Sequence, residues 1–268
     1  MAFTQIAVRR DGAVGTILHN RPEQRNAESS VLLDEMDQAL GAFVADPEIR
    51  VIVFGGAGDH FSAGHDLKEA AARRSEFTVE QRWAYEEQRY LDYSLRIWDC
   101  PKPTIASVQG ACIAGGFMVA NMCDMIVAAD DAYFADPVAK TLAACAIEVL
   151  VHPYVMGLRA AKELLFTGRR MTAEEAHRVG MVNRVVPRAE LEAATMALAQ
   201  DVAQAPPFAL KLVKRSLNRA ADLMGFRQAV NAHFDTHQLA HVTEEFKATR
   251  AAGLTAGIAR GKAAVTGG

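Results

Sequence analysis

The chain has 268 residues, 50% hydrophobic and 23% charged, and its 29 basic against 32 acidic residues leave a net charge of −3. That balance supplies no excess of cations for nucleic acid, and no stretch reaches the ~18 apolar residues of a membrane span. The length suffices to bury a core without disulfide or metal staples.

Cys100, Cys112, Cys123 and Cys145 form no C-x-x-C pair, so neither a zinc ribbon nor a disulfide framework is expected. The opening twelve residues lack an apolar core behind a basic segment, so no secretory leader is expected there. Together these features predict a cytoplasmic setting.

In chain order, Phe3–Val8 and Val14–Leu18 read as strands around a turn at Asp11-Gly12. Ser29–Val44 reads as a helix, with Val31, Leu32, Met36, Leu40 and Phe43 near one face. Arg50–Phe54 is an apolar run suited to a parallel strand buried on both faces. A Gly-rich loop then leads into a helix from Asp66, with Glu69 placed for a capping box. Residues 79–99 predict one long helix carrying Leu91, Leu95 and Trp98 on a stripe. Thr104–Val108 and Met125–Ala129 read as further strands, with a helix starting at Gly115-Gly116 between them.

The last third is helical by pattern: Arg159–Phe166, Ala173–Val179, Arg188–Ala205, Pro207–Ala220 and a long terminal helix Phe226–Arg250. Strands alternating with helices predict an α/β core with parallel pairing, followed by a helical tail.

Familiar site motifs are missing. Gly56-Ala57-Gly58 is followed by Phe61 where a dinucleotide fingerprint needs glycine, and neither a P-loop nor a G-x-S-x-G elbow occurs. Two small-residue turns remain, Phe61-Ser62-Ala63-Gly64-His65 and Gly110-Ala111-Cys112-Ile113-Ala114-Gly115-Gly116, each before a helix start. Taken alone, they read either as tight turns or as paired N–H donors converging on one oxygen.

Five stretches together resemble the enoyl-CoA hydratase/isomerase (crotonase) superfamily. They are Asn20-Arg21-Pro22-Glu23-Gln24-Arg25-Asn26-Ala27; Phe61 to Glu69; Lys102-Pro103 with Gly110 to Gly116 and Cys123-Asp124; Leu164 to Ala176; and Gly180 to Pro187. The resemblance implies a ClpP-like spiral of ββα units over residues 1–195 and a C-terminal helical trimerisation region over 196–268. It implies homotrimers or dimers of trimers, and an acyl-CoA thioester as ligand. Coenzyme A enters as part of the substrate, with no separate cofactor, metal, nucleic acid or membrane partner.

By position, the backbone N–H groups of His65 and Gly115 would hold a thioester enolate. Arg25, Ala27, Ala63, Asp66, Leu67 and Lys68 would line the coenzyme channel, and Lys68 is either a phosphate partner or a solvated surface residue.

The match fails at the two glutamates with which family hydratases handle water and proton. Met118 and Val138 stand in their places, and neither can move a proton. Ordinary hydration, and isomerisation through the second glutamate, are therefore not expected. Replacement acids are sought in Glu148, with His152 four residues on and on the same helix face, and in Asp136. His65, where the family commonly has alanine, also fits a malonyl-type decarboxylase, which needs no external base. A non-catalytic acyl-CoA binding protein is the remaining alternative.

His233, His237 and His241 form a stripe with no carboxylate partner in it, so no metal is expected. Phe208, Leu212, Val213, Ser216, Leu217 and Ala220 form an apolar face expected to pack, with Lys211, Lys214 and Arg215 on a solvated side. Trp83, Tyr85, Tyr90 and Trp98 either shape an acyl pocket or pack in the core.

Overall fold

A computed structural model describes residues 3–73 and 76–266, the side chains of Glu148 and Leu254 excepted. The chain opens with β1 (Ile6–Asp11), β2 (Val14–His19), α1 (Ser30–Ala45) and β3 (Val51–Gly56). Next come α2 (Leu67–Arg73), α3 (Val79–Glu86), α4 (Tyr93–Trp98), β4 (Thr104–Val108), β5 (Ala111–Ile113) and α5 (Gly115–Met122). β6 (Met125–Ala129), β7 (Tyr133–Ala135), α6 (Val138–Leu142), α7 (His152–Met156) and α8 (Leu158–Thr167) follow. The remainder is β8 (Met171–Thr172), α9 (Ala173–Arg178), β9 (Arg184–Val186), α10 (Leu191–Ala203), α11 (Pro207–Leu223), α12 (Phe226–Ala240), α13 (Glu244–Ala251) and α14 (Leu254–Thr266).

The large sheet has the order β1-β2-β3-β4-β6-β9 and the small one β5-β7-β8. In the large sheet only the β1–β2 hairpin is antiparallel. Side chains alternate across a strand, and both faces of the central strands β3, β4 and β6 are covered, so these strands are largely apolar, whereas the edge strand β1 is exposed. Ile52 and Phe54 of β3 join the core cluster containing α1 and α5, while Val51 and Val53 meet Leu198 and Ala199 of α10.

Two consecutive units share one plan. β4 and then β6 enter the large sheet; β5 and then β7 enter the small one; α5 and then α6 follow. A bridge from Ser62 to Cys112 gives the β3–α2 segment the same form. The expected α/β core of ββα units is therefore present. The expected division after residue 195 falls inside α10, where Thr195 shares a hydrogen bond with Ser107 of β4 (3.1 Å).

Three helical expectations are corrected. The single helix over 79–99 is interrupted by a π-helical turn, Glu87–Asp92, between α3 and α4. The long helix over 226–250 ends at Ala240, because the Thr243 hydroxyl caps a new helix by accepting from Phe246 N–H (3.2 Å). On α11 the expected apolar face is exposed and Lys214 turns inward, while Lys211 and Arg215 are exposed as expected. Phe208 and Leu217 are 68% and 66% exposed, whereas Lys214 is buried and its ammonium meets Asp124 at 2.8 Å. Asp124 also accepts from Thr104 N–H (2.7 Å), so one carboxylate ties α11 to the start of β4.

Among the described residues no helix is long and apolar enough to cross a membrane. Lys214→Ala leaves the Asp124 carboxylate without its cation, at a cost of about 1–3 kcal/mol, read as a lower midpoint of urea unfolding.

Candidate active site

The helix ends and the two small-residue turns converge on a cavity of about 400 Å³. That is the scale of a small-molecule site. One wall holds Ala63, His65, Leu67, Ala114 and Val138; the opposite wall holds Glu86, His237 and His241 with Arg82 and Arg250.

The first wall is built by close approach of the two turns. Gly64 has a φ of +82°, and a Cβ there would lie 2.7 Å from the Ile113 carbonyl. Glycine is required on both counts. A Cβ on Gly115 would overlap the Glu28 carboxylate and the His65 ring. Ala114, between them, takes a φ of +46°, a conformation that side chains hold only when their surroundings enforce it. Gly115 begins α5, where N–H groups have no intrahelical acceptor. Among the described residues, neither its N–H nor that of His65 donates to a protein acceptor.

Beneath this wall lies Glu28, which the sequence reading missed. Its backbone pairs with the His65 turn: Glu28 N–H donates to Gly64 O, and Asp66 N–H donates to Glu28 O, both at 2.9 Å. Its carboxylate is fully buried, 3.2 Å from His65 Nδ1 and 3.4 Å from His19 Nε2. Burial alone would raise this carboxyl, but the two histidines outweigh it and hold it down at about 2. His19 is fixed in turn, since its Nδ1–H donates to Gly55 O at 3.0 Å. The signal available in the sequence was Asn26-Ala27-Glu28, an acid leading into an apolar helix; only tertiary pairing with His65 gives it meaning.

The coenzyme-channel candidates are arranged unevenly around the cavity. Ala63 and Leu67 line it, and Ala63 N–H donates to Arg25 O (2.9 Å), which brings the Arg25–Ala27 turn alongside. Arg25 and Lys68 are exposed. Asp66 caps α2 by accepting from Lys68 and Glu69 N–H groups, and it pairs with Arg21 at 3.0 Å. The expected capping box is not reciprocal, because Glu69 turns to Ser30 at the start of α1 (2.8 and 2.6 Å).

The positions singled out for acids separate. Val138 lines the cavity, but Met118 is buried in the core and is not part of the lining. Asp136 is buried and accepts from His152 Nε2–H (3.3 Å), while Asn121 donates to His152 Nδ1 (3.1 Å). The shared Glu148–His152 helix face is corrected. A 3₁₀ turn, Ile147–Leu150, ends before α7 begins at His152, whose partner is Asp136. The Glu148 side chain lies outside the described residues.

The opposite wall corrects the reading of the histidine stripe. Glu86, at the end of α3, supplies the carboxylate partner that the stripe itself lacks. Its Oε2 lies 3.0 Å from His237 Nε2 and 3.9 Å from His241 Nδ1, and Arg82 meets its Oε1 at 3.2 Å. Burial pushes this carboxyl up, but His237, His241 and Arg82 hold it at about 2. His233 turns elsewhere, donating to Ala146 O at 2.8 Å.

Glu86, His237 and His241 place one donor atom each within 4.8 Å of one another, which is the spacing of a metal site. Two of the three, His237 and Glu86, are already engaged with each other and with neighbours. His237 Nδ1–H donates to Cys145 O (2.7 Å), and Gln238 donates to Glu86 (2.9 Å). Of Trp83, Tyr85, Tyr90 and Trp98, Tyr90 lines the cavity, and Trp83 and Trp98 pack on Phe234 and Phe226.

Comparison with known proteins identifies the family and fold. Residues 9–264 match the enoyl-CoA hydratase/isomerase family. The crystal structure of a "probable enoyl-CoA hydratase" from Mycobacterium smegmatis is 47% identical, with a TM-score of 0.83 over 88% of this chain and 94% of that one. An enoyl-CoA hydratase/isomerase from Xanthobacter autotrophicus Py2 is 34% identical, with a TM-score of 0.90 over 98% of each chain. The human mitochondrial Delta(3,5)-Delta(2,4)-dienoyl-CoA isomerase is 35% identical over 218 residues, covering 77% of this chain and 66% of that protein.

Two outcomes follow from the buried groups. Gly115→Ala forces a methyl group against Glu28 and His65 and costs about 1–3 kcal/mol, measurable by urea unfolding. The depressed carboxyls of Glu28 and Glu86 stabilise the fold above their unfolded value of 4.5, and this contribution is lost as pH falls toward about 2. Melting temperature should therefore drop steeply below about pH 4.5, and less steeply in Glu28→Gln and Glu86→Gln.

Proposed function

Because the chain belongs to the enoyl-CoA hydratase/isomerase family and has the crotonase fold, we propose that it binds an acyl-CoA thioester with the carbonyl oxygen against the N–H groups of His65 and Gly115, and that its reaction is not ordinary hydration. The observation that carries this reading is the pairing of two N–H groups without protein acceptors, on turns that glycine alone allows to meet. Two preorganised donors stabilise the charge that develops on a thioester oxygen when an enolate forms, an effect of about 3–4 kcal/mol per donor in related chemistry. Ala63 and Leu67, with the Arg25–Ala27 turn and Lys68, then lie along the path of the coenzyme, and the acyl group enters the cavity.

Water addition needs an acid and a base over the double bond. Val138 offers neither on the cavity wall, and Met118 stands in the core. A second reading, decarboxylation of a malonyl-type thioester, is supported by Val138 on the cavity wall, because loss of carbon dioxide needs no external base. A carboxylate held in the cavity would leave as carbon dioxide, its bond pair passing into the enolate.

A non-catalytic binder would bind thioesters and turn over neither class of substrate. The apolar stripe of α11 is the surface a second copy would cover in a homotrimer or dimer of trimers.

The deciding assay follows loss of conjugated thioester absorbance with short- and medium-chain trans-2-enoyl-CoA. Binding without hydration above the background rate is expected; rapid hydration overturns the reading. Carbon dioxide release from malonyl-type thioesters distinguishes the second reading. Light scattering should give three or six chains per particle, and Leu217→Glu should dissociate it. Metal analysis of untagged protein should find nothing stoichiometric at Glu86, His237 and His241.

A further inference from the structure

We infer that the His65 imidazole is the acid–base group of this site, moving a proton at the carbon next to the thioester, and that Glu28 is the positioning residue that fixes its tautomer. The inference rests on the thioester reading above and adds a chemical role to a side chain whose backbone that reading already uses.

The geometry is that of an oriented base. Glu28 Oε2 lies 3.2 Å from Nδ1, off the line of a hydrogen bond, and its negative charge favours the hydrogen on that nitrogen, which leaves the lone pair on Nε2. The side chain is 19% exposed and lines the cavity, and among the described residues Nε2 has no protein hydrogen-bond partner. Its plane is set by Tyr90, which stacks on it at 3.7 Å and 12°. Tyr90 itself sits on the π-helical turn, a distortion frequent at functional sites.

The other cavity groups are engaged. Both nitrogens of His237 face acceptors, and Glu86 is held by Arg82 and Gln238. Asp136 and His152 are not part of the cavity lining.

The step balances within the site. Nε2 takes the α-proton, the C–H pair becomes the enolate C=C bond, and the carbonyl π pair moves onto the thioester oxygen against the two N–H groups. The imidazolium keeps its Nδ1–H on Glu28 and returns a proton to carbon, so no co-reactant is consumed. The charged and titratable groups around the ring are Glu28 from the N-terminal segment, with His19 behind it, and Tyr90 from the π-helical turn. Across the cavity stand Arg82, Glu86, His237, His241 and Arg250.

The test uses butyryl-CoA in deuterium oxide, with α-hydrogen exchange read by mass spectrometry and affinity by calorimetry. Substitution at position 65 keeps the backbone N–H, so ring and amide are separated. His65→Ala and His65→Gln should exchange at least ~100-fold more slowly with affinity within about twofold, and added imidazole should restore exchange to His65→Ala. Glu28→Gln should slow exchange about tenfold at saturation with affinity unchanged; its melting curve shows whether it remains folded.

Exchange unaltered in the two His65 variants overturns the inference, as does a loss that imidazole leaves unrestored, or a loss confined to Glu148→Gln. Unsubstituted protein that binds butyryl-CoA without exchanging it overturns the inference alone. Protein that does not bind the thioester overturns the reading beneath it as well.

Discussion

A carboxylate removed from water governs the arrangement of the first wall. Glu28 stays ionised only because His19 and His65 face it from two sides, and its own peptide group ties the start of α1 to the His65 turn. That pairing sets how closely the two small-residue turns approach, and the approach leaves no room for a Cβ at Gly115. The positions of both candidate donors and the strained Ala114 backbone therefore share one cause. An apolar residue at position 28 would leave the strands and the Tyr90 stack in place and the His65 Nδ1 with no anion to face.

The strands were legible because their environment is uniform. β3, β4 and β6 are buried on both faces, so short, largely apolar runs mark them closely. The helices were legible only where one face alone decides. Residues 79–99 carry helical periodicity throughout, and nothing local announces the π-helical turn that brings Glu86 and Tyr90 to the cavity. α14 escaped notice because its alanines and glycines carry little periodic signal; two of its glycines instead admit Thr141 of α6 at close range.

The site was legible in part for a related reason. Motifs located His65, Gly115 and the turns, which are local in sequence. The charged partners are remote: Glu28 stands 37 positions before His65, and Glu86 meets His237 across 151. α11 shows the opposite failure. Periodicity identified an amphipathic helix correctly, but not which face the core would claim, because the Asp124 carboxylate draws Lys214 inward. Its exposed apolar side is the surface proposed above for contact with a second copy.

The order in which the cavity is made also follows from its walls. Ala63, His65 and Ala114 come from the first half of the chain, whereas Phe246, Arg250, Gly253 and Gly257 close the space from its end. During synthesis, the turns that meet at Gly115 leave the ribosome well before the residues that cover them. Through that interval the nascent protein presents an open apolar trough, and only the last two helices turn it into a room. Loss of a short C-terminal segment would accordingly spare both sheets and abolish the enclosure, giving a folded protein with its turns intact and no chamber.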